Sequence, residues 1–206
     1  MLGFLMIGVV YAFTAAAQPG PYQTYIVSQS VSAGWRRTWP AAFAPLLSDG
    51  PIAALVLVIL VQVPKVFVSV LQLGGGVFLL FLAAGSFRAW RHFDAEKLPE
   101  VHSGTESLLK ATLVNVLNPN PYIGWSLVMG PLTVKAWHEG ELHALALLAG
   151  FYSTMVAVTV AVIVAASALG GIGARVRRMV LGVSALALAC FSAYELWLGT
   201  QGLLGA

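Results

Sequence analysis

Residues 18–22 read Gln-Pro-Gly-Pro-Tyr, and residues 118–122 read Asn-Pro-Asn-Pro-Tyr. Each run lies inside a long apolar segment, one hundred positions from the other. Two prolines at i and i+2 remove two backbone donors and clash with the preceding turn, so no helix runs through undisturbed. The residue before each proline is also pushed out of the α region. In hydrocarbon, freed amides and carbonyls are tolerated only when buried in protein or lining a cavity. A matched pair of breaks in corresponding segments of two halves points to a transporter binding site.

Composition places the chain in a membrane. Of its 206 residues, 59% are hydrophobic and 9% charged, which fits a polytopic membrane protein and not a soluble domain. The net charge of +3 is no nucleic-acid signature. The first segment, about 2–32, ends its apolar stretch in Thr-Ala-Ala-Ala-Gln, like a signal-peptidase site. A signal peptide carries a basic n-region, and none of the first thirty-five residues is basic. The segment is therefore expected to stay as a mature helix.

Five more apolar segments follow, at about 41–63, 66–89, 108–132, 142–169 and 179–198. A tight turn at Pro64-Lys65 separates the second and third. The expected fold is all-α and polytopic, with six transmembrane helices in one domain spanning 1–206. Residues 1–90 form a first three-helix repeat, 91–106 a cytoplasmic linker and 107–206 a second repeat. Gly76-Val77 opens the third helix much as Gly182-Val183 opens the sixth. Three crossings per repeat bring the second copy in from the opposite side, so the repeats are inverted. The first and fourth helices carry the breaks.

Charge fits this count. The loops 32–40, 88–110 and 170–178 hold Arg36, Arg37, Arg88, Arg91, Lys97, Lys110, Arg175, Arg177 and Arg178, and the other side holds only Lys65 and Lys135. Nine against two puts the richer side in the cytoplasm, with both termini outside.

Asp49 is the one acidic residue well inside an apolar segment. It lies roughly 12 Å into the second segment at 1.5 Å per residue, near the middle of a core about 30 Å thick. A carboxylate there is costly and marks a functional site; it is the candidate for proton coupling, or else it braces a broken helix. Gln18, Asn115, Asn118 and Asn120 place amides near the breaks. Freed N–H groups at each second half-helix suit a carboxylate, and freed carbonyls suit an ammonium group. The candidate substrate-binding residues are Gln18, Pro19, Gly20, Pro21, Tyr22, Asn118, Pro119, Asn120, Pro121 and Tyr122, with Tyr25 and Trp125 as further candidate walls. Packing is the competing role for these aromatics. Glu195 lies near the end of the sixth segment, within reach of the interface. The four histidines lack the i, i+4 spacing of a helical metal pair, and Cys190 reads as a small packed residue. Trp35, Trp39, Trp90, Trp137 and Trp197 fall near segment ends, as an aromatic belt does.

Pro19-Gly20-Pro21 in the first helix, Asp49-Gly50 in the second and Asn118-Pro119 in the fourth resemble the motifs of the lysine exporter (LysE/RhtB-type) translocator family. The resemblance covers nearly the whole chain. It implies efflux of amino acids or close derivatives across a bacterial or archaeal cytoplasmic membrane, driven by the proton gradient. Many members carry Lys after Asn-Pro, where this chain has Asn120. The implied partners are a small zwitterionic substrate and the lipid bilayer, with a homo-oligomer compatible. No cofactor, metal or nucleic acid is expected.

Three other readings compete. A cation or metal exporter of a related superfamily would want several carboxylates, His or Cys within the membrane, and the chain offers Asp49 and amides. An intramembrane aspartyl protease needs two carboxylates, and neither His-Glu-x-x-His nor Gly-x-Ser-x-Gly occurs. A scaffold would gain nothing from mid-membrane breaks.

Overall fold

The structure is a computed structural model that describes residues 1–56, 65–93 and 103–204. The expected turn at Pro64, residues 57–63 of the second segment, and Lys97 and His102 of the linker lie outside the described residues. All described elements are helical. They are α1 (Leu2–Ala17), α2 (Pro21–Ala33), α3 (Trp35–Thr38), a 3-10 turn (Trp39–Phe43), α4 (Ala44–Ala54), α5 (Lys65–Arg91) and α6 (Gly104–Leu117). Then come α7 (Pro119–Gly124), a π-helical turn (Trp125–Met129), α8 (Gly130–Glu139), α9 (Glu141–Gly171) and α10 (Ala174–Leu204).

The chain is packed with its small residues inward. On α1, Gly8, Ala12 and Ala16 are buried, while Leu2, Met6, Val10 and Phe13 are exposed. Large apolar side chains turned outward suit lipid, and small ones inward let helices approach closely. A Cβ on Gly8 would overlap the Leu147 carbonyl, and one on Gly150 would overlap the Leu5 carbonyl. The α1–α9 crossing is thus backbone against backbone. Cys190, expected to pack, is exposed instead, because it faces outward from α10.

Among the described residues, α5 from Val66, α9 and α10 are each long and apolar enough to cross a membrane. The α1–α2 pair, bent by 68° at its break, makes a fourth span if taken as one. The protein is therefore a helical, membrane-embedded one. The second segment is more interrupted than expected: α4 covers only 11 residues, after the 3-10 turn around Pro40. Pro51 sits inside α4 without ending it. The fourth segment is divided into α6, α7, the π turn and α8.

Helix directions follow from the contacts. The start of α1 meets the start of α9, where Phe4 stands edge-on to His143 at 5.6 Å. The end of α2 meets the end of α9, where Val31 packs with Ala166. The broken pair therefore runs parallel to α9. In contrast, α5 is antiparallel to α10: Leu73 lies against Gly199, and Trp90 against Gly182.

The three basic loops share one end of the bundle. Arg177 stacks on Phe93 at 5.0 Å, and Arg178 on Trp90 at 5.7 Å. Trp35 N donates to Ser167 Oγ at 3.1 Å, and Gly104 abuts Pro40. Of residues 32–40, expected as a loop, the first two end α2, and 35–40 form α3 and the start of the 3-10 turn. Gly34, with φ of +80°, separates α2 from α3, in a region that glycine enters without penalty. Thr38 Oγ1 then donates back to the Gly34 carbonyl at 3.0 Å.

Candidate functional site

Each break follows from its prolines. Gln18 is extended (φ −68°, ψ 126°), and so is Gly20 (φ −168°, ψ −179°). Pro21 then opens α2 at a position where its missing N–H costs nothing. In the fourth segment only Asn118 is extended (φ −84°, ψ 126°), and α7 starts at once with Pro119. Asn118 Oδ1 accepts from Asn120 N at 3.0 Å, a side-chain turn that caps α7.

The freed carbonyls find partners from beyond each break. Gln23 Nε2 donates to the Ala16 carbonyl at 3.3 Å, and Tyr122 Oη donates to the Val116 carbonyl at 3.0 Å. The two acceptors occupy equivalent places, two residues before each extended residue. An uncompensated carbonyl there would cost a kilocalorie or more, roughly 1–3 kcal/mol.

Both breaks open onto one cavity of about 140 Å³, roughly ten times the space that a single water needs. The cavity is bordered by Gln18, Pro19, Gly20, Tyr22, Asn118, Asn120 and Pro121, with Asp49 and Asn115. Eight of the expected binding and coupling residues thus meet across sequence separations of up to about a hundred. Three do not border it. Pro21 faces a second, smaller crevice. Pro119 is buried at the start of α7. Tyr122 is turned inward to Val116 and packs edge-on against Phe67 at 5.3 Å. Trp125 borders the cavity, whereas Tyr25 reaches back to the Ser107 carbonyl at 3.4 Å.

Asp49 is 4% exposed. Its Oδ1 accepts from Asn115 Nδ2 at 3.2 Å and from Ser48 Oγ at 3.4 Å. Asn115 Nδ2 also donates to Ser48 Oγ at 2.7 Å. This cluster ties α4 to α6 just before the second break. The Trp125 indole lies beside Asp49, yet its buried N–H completes no hydrogen bond with protein. One side chain, Asp49, thus both bonds across to α6 and borders the cavity.

The remaining walls went unnoticed in the sequence. Tyr11, Gln23 and Pro45 border the cavity, as do Met129, Phe151 and Met155. Tyr11 stacks on Phe151 at 6.0 Å. The signal for Tyr11 was its hydroxyl in an otherwise apolar run; α9 is apolar on all sides and offers no such mark. Among the described residues no Lys, Arg or His borders the cavity, and Asp49 is the one carboxylate that does. Among the described residues no three His, Cys, Asp or Glu side chains gather to hold a metal.

A helical membrane protein in which two broken segments and a buried acid border one cavity of mixed polar and apolar lining has the build of a membrane transporter. The chain belongs to the LysE type translocator family, whose pattern it matches over residues 13–199. That is a family of transporters and not of enzymes. No curated protein and no solved structure matches the chain.

Proposed function

We propose that this protein exports amino acids, or closely related small zwitterions, across the cytoplasmic membrane in exchange for protons. The observation that carries this reading is the meeting of both breaks and Asp49 in one cavity. At the first break α2 has no side-chain cap, so the amides of Tyr22 and Gln23 form the partial positive end that a substrate carboxylate needs. The cavity lacks the cation that many members carry after Asn-Pro, and these amides take over the recognition of the carboxylate. The substrate ammonium group faces the Asp49 side.

Asp49 is the coupling residue. In the outward-facing state it takes a proton from the exterior; in the inward-facing state it releases that proton as substrate binds. A buried carboxylate is expensive to keep ionised, which favours such a cycle. A metal or cation exporter gains no specific support, because the described walls of the cavity offer one carboxylate and no His or Cys, where such an exporter would want several of these ligands.

The same reading includes six crossings in two inverted repeats. The parallel α1–α2 and α9, the antiparallel α5 and α10, and the shared end of the basic loops all agree with it. Both termini then face outward. Single-cysteine labelling in a Cys190→Ser background should reach positions 37 and 177 from the cytoplasm and 137 from outside. Labelling of 37 and 177 from opposite faces breaks the topology.

The functional test is uptake and counterflow in proteoliposomes against an amino-acid panel, with and without a pH gradient. Gradient-driven accumulation of at least one member is expected. No transport of any member rejects the reading.

A further inference from the structure

On the far side of the second break lies a separate crevice that the proposed transport cycle does not use. Its volume is about 10 Å³, room for about one water. Glu195 of α10 points into it. This residue, near enough to the end of α10 to reach an interface, is only 9% exposed. Its Oε2 is buried and has no hydrogen-bond partner.

The surroundings do not suit an ionised carboxylate. Pro21 comes from α2, Gly75 and Phe78 from α5, Leu117 from α6, and Asn118 from the break. None of these titrates, and among the described residues no other ionisable side chain borders the crevice. A charge taken out of water without a partner is strongly disfavoured. A hard cation needs about six oxygens, and the apolar walls do not supply them.

The crevice holds one freed carbonyl as acceptor, and the Asn118 amide is the one side-chain N–H donor among its described walls. The Leu117 carbonyl points at Gly75, where an added Cβ would lie 2.6 Å away. In an unbroken helix that carbonyl would accept from residue 121, but Pro121 has no N–H to give. A protonated carboxyl brings the donor that an ionised one lacks. Asn118 borders both this crevice and the central cavity. Any movement of the second break therefore alters both.

We propose that Glu195 is a second protonation site. It holds a proton while α2, α5, α6 and α10 are closed around it, and gives that proton to water when the second break moves and the crevice wets. Its place in a transport cycle rests on the exporter reading; its protonation in the closed state does not.

The test is infrared spectroscopy of the full-length protein in lipid nanodiscs at neutral pH. A protonated-carboxyl C=O band is expected in the Asp49→Asn variant, and it should be lost in Asp49→Asn/Glu195→Gln. Wild type grown with isotope-labelled glutamate guards against variants that fail to fold: part of its band should shift in frequency. Loss of the band in Asp49→Asn/Glu195→Gln tells Glu195 from the other glutamates, which lie near segment ends or in the linker. Absence of the band from Asp49→Asn, or a wild-type band that the label leaves unmoved, overturns the assignment. A shifted band in a protein that transports no amino acid upholds the assignment and contradicts the exporter reading alone.

Discussion

The two breaks carry the same pair of prolines and end differently. At the first, two residues are extended, the chain bends by 68°, and α2 begins without a side-chain cap. At the second, one residue is extended and its own side chain closes the turn onto Asn120 N. The difference lies largely at one position. Asn118 is short enough to reach the amide two residues on; Gln18 has one more methylene. The first break thus leaves its amides to the cavity, and the second satisfies its own. In this reading the first break binds and the second holds shape.

The largest effect should come from the prolines themselves. Replacing Pro19 and Pro21 by Ala restores two donors and lets the helix close over the freed groups. Transport should fall by about 100-fold, the scale of misplacing a site by an ångström. Replacing Pro119 and Pro121 should cost about tenfold less, since that end already caps itself. Insertion and monodispersity in detergent should persist in both. Equal losses from the two pairs, or full transport by the quadruple variant, would break the comparison.

Next in size is the packing that holds each break. Gly150→Ala pushes a methyl group into the Leu5 carbonyl behind the first break, and Gly75→Ala approaches the Leu117 carbonyl at 2.6 Å behind the second. Both neighbours are backbone and cannot rotate away. Each substitution should destabilise by about 1–3 kcal/mol, read as a lower Tm in detergent. An unchanged Tm would mean that the helices slide freely there.

A smaller effect should separate the caps. Gln18→Asn gives the first break the side chain that closes the second. The new cap competes with substrate for the α2 amides. KM should rise about fivefold, equivalent to ~1 kcal/mol for a cap, with little change in Tm. Asn118→Ala should do the reverse, lowering stability by about 1 kcal/mol with KM nearly constant. Matching shifts in KM from both would show that the two ends are equivalent.

Some of this was legible in the chain. Prolines spaced i and i+2 in apolar runs announce breaks whatever surrounds them, and Asp49 stands out in hydrocarbon. Eight expected residues do border the cavity. The partners of the freed carbonyls were not legible. Tyr22 and Tyr122 follow their breaks at the same spacing, yet Tyr22 borders the cavity and reaches the Ala41 carbonyl at 2.9 Å, while Tyr122 turns back to Val116. That choice depends on neighbours far away in sequence. Phe151 and Met155 were hidden because a helix apolar on every face gives no periodicity to read. The early interruption around Pro40 was readable from the proline, but not the short helix α3 that follows Gly34.

The most direct measurement is made on Asp49→Asn in proteoliposomes, under an imposed pH gradient and then in counterflow without one. Asparagine mimics the protonated acid at nearly constant shape. Accumulation driven by the gradient should vanish while substrate exchange persists, because exchange moves no net proton. If the variant still accumulates substrate in response to the gradient as the wild type does, Asp49 only braces α4 against α6 and carries no proton.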